Sequence, residues 1–159
     1  GEEVFISYGD LPNDRLLHLY GFALGNNPHN RVVLEPQWPP LGDTGSLEAL
    51  KDALLARHDI FPTPTVEIRR GVHYKDGRKG LDGCLLPLAR VALLQSSHLS
   101  HLPGPVSAVS SDQLDVTKPI SSANEAAAVA WALEQCERRL AGYPTTLAED
   151  EAQVVRAAE

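Results

Sequence analysis

Residues 36–45, PQWPPLGDTG, put three prolines and two glycines into one short stretch. No helix can run through it, because proline lacks the amide hydrogen and clashes with the preceding turn. No central strand can either, because proline cannot donate to a ladder. The chain must therefore be built in two parts. We place the boundary here: residues 1–35, a linker at 36–45, and a longer part at 46–159. Trp38 sits inside the linker, either as a docking aromatic that staples it to one part or as a half-exposed turn residue.

The short part opens with Val4-Phe5-Ile6, β-branched and aromatic, which predicts a buried strand. Tyr8-Gly9 ends it, and Asp10 and Pro12 continue as a turn. Asn13 is the expected N-cap of a short helix carrying Leu16, Leu17, Leu19 and Tyr20. Gly21 is the expected stop. Two Tyr-Gly pairs thus flank one helix. A tyrosine fixed in this way can wall an apolar channel while its hydroxyl makes one hydrogen bond inside it. The plain alternative is two core tyrosines beside turn glycines. Residues 25–30 are a loop by composition, and Arg31-Val32-Val33-Leu34 reads as a strand.

The long part reads as mainly helical. Leu47, Leu50, Leu54 and Leu55 mark one face of a helix that starts at Ser46 and ends at Arg57-His58-Asp59. Thr65 to Arg69 alternates as a short strand or extended arm. Gly71 to Gly83, with Lys75, Arg78 and Lys79, reads as a solvated loop. Cys84 to Leu94 is apolar apart from Arg90 and predicts a buried helix with Pro87 in its first turn. Residues 96–120 need some short helix, since so long a loop is uncommon in a compact domain. Ser122-Ala123-Asn124-Glu125 reads as a capping box. Ala126, Val129, Ala130, Leu133 and Leu140 then mark the apolar face of a long helix, with Glu134 and Arg138 as an i,i+4 pair. Gly142 closes it. Thr146 to Glu149 opens a last, acidic helix with a second capping box.

Charge and cysteine usage narrow the function. A net charge of −7 argues against binding a nucleic-acid backbone and suits a basic protein partner. No apolar stretch approaches the roughly 18 residues needed to span a membrane. Cys84 and Cys136 form neither a metal spacing nor a disulfide framework, and read as buried free thiols in a reducing, intracellular setting. His98-x-x-His101 has helical spacing but no third ligand nearby in sequence, so no metal site is expected and both read as loop histidines. Arg15 and Asp14 read as a salt-bridged helix face, with a substrate-facing role as the alternative.

GEEVFISYG followed by N-x-x-L-L-x-x-Y-G-F resembles the C-terminal motif of SET-domain protein methyltransferases, in the form typified by the Rubisco large-subunit lysine methyltransferase. The resemblance is close over residues 1 to about 35. The tail is similar to the helical substrate-binding domain that follows SET in that branch, through N-E, a long helix and L-A-G-Y-P-T-T-L-x-E-D. Between them, over residues 46–118, only the order of elements is alike. The resemblance implies an α+β chain: the end of a SET β-fold, then a mostly helical domain that holds a protein substrate. It implies S-adenosylmethionine as methyl donor and lysine as target, with histidine as the target in one branch. It makes Tyr8 the catalytic tyrosine, and Tyr20 and Phe22 walls around the cofactor and the target side chain. It implies a fragment, since the family's N-terminal glycine-containing strand and asparagine-histidine pair do not occur here. The isolated chain is then expected neither to bind the cofactor well nor to turn over. Plastid, cytoplasm and nucleus stay open. The contrasting expectation is a non-catalytic protein-interaction module beside a degenerate SET half.

Overall fold

The computed structural model describes residue 4 and residues 6–40, 45–62, 65–69 and 85–157. Phe5, Cys84 and the loop expected at Gly71 to Gly83 lie outside the described residues. The chain is α+β and mostly helical. Its elements are α1 (Asn13–Tyr20), β1 (Arg31–Leu34), α2 (Ser46–His58), β2 (Val66–Arg69), α3 (Leu85–Ala92), α4 (Ser122–Ala141) and α5 (Leu147–Ala157), with three short 3-10 turns between Ser96 and Gln113.

The core lies in the helical part. Leu50, Leu54 and Leu55 of α2 meet Leu88 and Val91 of α3, and Leu99, Leu114 and Val116 from the 3-10 region close over them. Each leucine taken fully out of water contributes about 1.5–3 kcal/mol, so this cluster dominates the stability of the molecule. A second cluster joins Leu34 of β1, Val66 of β2, Leu85 of α3 and Ala132 of α4. Trp38 packs against both clusters. Its ring stacks on Trp131, with centroids 4.9 Å apart and planes 27° from parallel. Trp38 is therefore a docking aromatic, and the proline segment is fastened to α4.

β1 and β2 pair antiparallel, with Arg31 opposite Arg69 and Leu34 opposite Val66. One strand comes from each side of the proline segment. Leu34 and Val66 share the buried face, where their alternation places them.

One buried ion pair locks α3 to α4. Arg90 is 4% exposed, and its Nε and Nη2 donate to the two Glu125 oxygens at 2.6 and 2.8 Å. Its Nη1 donates to the Val116 carbonyl at 2.9 Å. The guanidinium holds the Glu125 carboxyl below its ordinary pKa, against the opposing effect of burial. Asn124, fully buried next to it, donates to the Arg90 carbonyl.

Several local expectations need correction. Val4 and Ile6 lie in no strand and are 85% and 80% exposed. A strand needs a partner, and among the described residues none pairs with this segment. The cap of α1 is Pro12, not Asn13, whose side chain is engaged across the following loop. The cap of α4 is Ser121, whose hydroxyl accepts from the Asn124 amide, one residue before the expected box. Glu125 closes no box and pairs with Arg90 instead. The face of α4 that is buried runs through Asn124, Ala128, Ala132 and Gln135. The face with the larger apolar residues, Val129, Leu133 and Leu140, is exposed. A helix this rich in alanine presents small residues to close neighbours, so side-chain size misleads about which face turns inward.

Candidate functional site

The structure brings Tyr8, Tyr20 and Phe22 together, although Tyr8 lies in no strand. The Tyr8 ring is 4.7 Å from the Tyr20 ring and 5.3 Å from the Phe22 ring, centroid to centroid, at steep angles of 60° and 67°. Tyr20 and Phe22 are 6.3 Å apart. Tilted and edge-on contacts at these separations suit the ring quadrupoles. Two left-handed glycines make the arrangement possible. Gly9, at φ 78°, turns the chain after Tyr8, and Gly21, at φ 75°, ends α1 between Tyr20 and Phe22. A side chain is disfavoured at that backbone angle, which is why the two Tyr-Gly pairs were informative in the sequence.

The rings are not core. Tyr8 and Tyr20 are each 49% exposed, and Phe22 is half-buried. They form an aromatic wall open to solvent. Such a surface takes an apolar or cationic group against its faces.

What holds the wall in place is polar. Asn13 donates through Nδ2 to the Leu24 carbonyl at 2.8 Å, and its Oδ1 accepts from the Leu24 amide at 3.1 Å. Asn27, buried beneath, donates to the Leu11 carbonyl at 2.8 Å and to Asn13 Oδ1 at 2.9 Å, and accepts from the His29 amide. Asn30 Oδ1 accepts from the Asn13 amide at 2.8 Å. Three asparagines thus fold residues 24–30 back onto the start of α1 and fix the angle at which Tyr20 and Phe22 leave it. The sequence shows Asn27 and Asn30 only as loop composition and Asn13 only as an expected helix cap. The signal that could have singled them out is amide side chains on both sides of one short helix, each able to serve a backbone donor and an acceptor at once.

Other candidates resolve differently. Arg15 and Asp14 are both exposed and make no ion pair with each other. His98 is half-buried, and its Nδ1 accepts from the Gln95 amide. It therefore belongs to a 3-10 turn rather than to a free loop. His101 is exposed. No group of three or more potential metal-ligating residues occurs among the described residues. Cys136 is a free thiol on α4, and burial raises its pKa, with Glu137 adding to the shift. No helix among the described residues is long and apolar enough to cross a membrane.

Residues 44–158 match the model of a known protein family, described as Rubisco LSMT substrate-binding. No curated protein matches the chain.

Proposed function

The chain belongs to the Rubisco LSMT substrate-binding family, a domain of methyltransferases, and from that premise we propose that it serves an S-adenosylmethionine-dependent protein-lysine methyltransferase. In this reading residues 46–159 hold the protein substrate, and residues 1–35 complete a SET fold whose other strands pair with the exposed segment around Val4 and Ile6. The observation that carries the reading is the aromatic wall, three rings at the place where the sequence resembles the catalytic motif.

The residues fit the task. A lysine must be presented unprotonated, against an ordinary pKa of about 10.4, and in line with its methyl donor. With the rest of the SET fold closed over the open wall, an ammonium lying against it is removed from water, which favours its neutral form. The Tyr8 hydroxyl, which has no hydrogen-bond partner among the described residues, is free to accept from the amine and orient it. Tyr20 and Phe22 restrict the approach and stand against the donor, whose sulfonium supplies the methyl group. The same wall accommodates an imidazole, so a histidine target is the neighbouring possibility within this reading.

The test is methyl transfer by the protein carrying this chain within a complete SET fold, compared with its Tyr8→Phe variant. Loss of a group that positions the reacting atoms is expected to cost on the order of 100-fold or more in rate. Unchanged transfer would remove Tyr8 from the mechanism. Titration of the isolated chain with S-adenosylmethionine is expected to give no micromolar binding. The second reading, a non-catalytic interaction module, draws on the exposed Val129, Leu133 and Leu140 of α4. It predicts partner binding that survives while the complete protein transfers no methyl group.

A further inference from the structure

Between β1, the start of α1 and the last turns of α4 runs a trough made of two adjoining cavities of about 390 and 360 Å³, which share Val33 and Arg139 as a common wall. Four arginines line it: Arg15 from α1, Arg31 from β1, and Arg138 and Arg139 from α4. The carboxylates along it are Asp14, Glu35 and Glu67. Glu67 is already shared between two guanidiniums, Arg31 at 3.1 Å and Arg69 at 2.8 Å. Arg138 is tied to Glu134 at 2.8 Å. With those outside partners included, five arginines face four carboxylates, so the local balance is positive on a chain whose formal charge is −7. Screening confines surface charge to roughly 8 Å at physiological salt, so a bound group feels the local sign rather than the overall one.

Two of the four arginines are uncommitted. Among the described residues, neither Arg15 nor Arg139 has a carboxylate within ion-pair distance. Arg139 is nevertheless held, because its guanidinium lies 4.9 Å above the centre of the Tyr143 ring. A guanidinium held by its face over a ring keeps its in-plane N–H groups available, in the fork that matches a carboxylate. Beside it, Val33 of β1, which walls both cavities on the same strand face as Arg31, is 40% exposed. Gln135 fixes this side of the trough, its Oε1 accepting from the Gln37 amide at 3.0 Å and from Arg138 at 3.3 Å.

We propose that this trough docks an extended acidic segment of the partner protein, with one carboxylate in the fork of Arg139, a second on Arg15, and an apolar side chain between them on Val33. A polyphosphate or nucleic acid fits less well, because its long run of negative charge meets a chain of formal charge −7. The inference rests on the substrate-holding reading for who the partner is, but the binding itself is measured without any methyl transfer.

The experiment uses the full chain and a fluorescein-labelled peptide of alternating glutamate and valine, about eight residues long, the reach of one strand. Its charge-reversed counterpart replaces glutamate with lysine. The acidic peptide is expected to bind at least tenfold tighter than the basic one, and more weakly as salt rises. Arg139→Gln and Arg15→Gln should each weaken it about tenfold, the cost of one charge-assisted contact. Arg139→Lys, which keeps the charge and loses the fork, should recover only part of that loss. Circular dichroism verifies that each variant remains folded. Equal binding of the two peptides, no binding of the acidic one, or full affinity in the double glutamine variant each overturns the proposal. Binding of the acidic peptide by a protein that transfers no methyl group leaves the trough standing and removes only the catalytic reading.

Discussion

The two ends of this molecule are held together by opposite kinds of force. The helical part, from α2 to α4, is a packed apolar core with one buried charge pair, and the leucines of that core are almost wholly removed from water, while Leu133 and Leu140 of α4 stay outside it. The N-terminal part hides its amides and exposes its apolar groups: Asn27 is buried while Tyr8, Tyr20, Val4 and Ile6 face solvent. A part that is polar inside and aromatic outside does not stabilise itself by burial. Its aromatic residues stay at the surface, whereas the helical part buries most of its leucines and leaves only the outer face of α4, with Val129, Leu133 and Leu140, to solvent.

That contrast can be broken in several places. The largest effect belongs to the core. Leu54→Ala and Leu88→Ala should each lower unfolding free energy by about 2–5 kcal/mol in urea titrations, through lost burial and the cavity left behind. Neither should alter tyrosine fluorescence in the remaining folded protein. Asn27→Ala removes the donor shared by the Leu11 carbonyl and Asn13 and should cost about 1–3 kcal/mol locally. Hydrogen exchange should report it, with residues 24–30 losing protection while α3 does not. If both regions lost protection together, the separation drawn here would fail.

Acid should act on the helical part through Glu125. Its folded pKa lies below its unfolded value, so the contribution is complete above the unfolded pKa. As pH falls from about 4.5, through and below that value, the Arg90 contact is progressively lost. A Glu125→Gln variant should lose that part of the pH dependence, as thermal melts at a series of pH values would show. The smallest expected change is Thr146→Ala. Thr146 and Glu149 form a reciprocal cap at the start of α5, and that contact also lowers the Glu149 pKa. Its loss should cost about 1 kcal/mol, seen as fraying of α5 with little effect on the global melt.

Legibility followed the same division. In the helical part, α2 and α3 were readable because leucine spacing and a first-turn proline are local signals, and the Thr146 cap because both its partners lie within one turn. Both strands were readable from their β-branched runs, although nothing in the sequence said that they pair with each other. The inward face of α4 was not readable, since small residues buried it and large ones stayed outside. The cap falls on Ser121, one residue before the expected box, and Glu125 pairs with Arg90, thirty-five positions away in sequence, a contact no local pattern shows. In the aromatic region the glycines were visible and the asparagine lacing was not, because hydrogen bonds across a loop have no periodicity. The uncommitted arginines of the trough looked like ordinary surface charge until their neighbours were in place.

The fastening of the proline segment has one further consequence. Trp38 on Trp131, Gln37 on Gln135 and the β1–β2 ladder are three separate anchors across the same junction. A junction pinned at three points is not a joint. It fixes the β1 and α4 walls of the trough to each other, and α1, which carries both Tyr20 and Arg15, sets the distance from the trough to the ring wall. If both contact one partner, the protein works as a ruler: a partner is accepted by how far its acidic stretch lies from the residue to be modified. Lengthening that interval in the partner should then matter more than changing the residues within it.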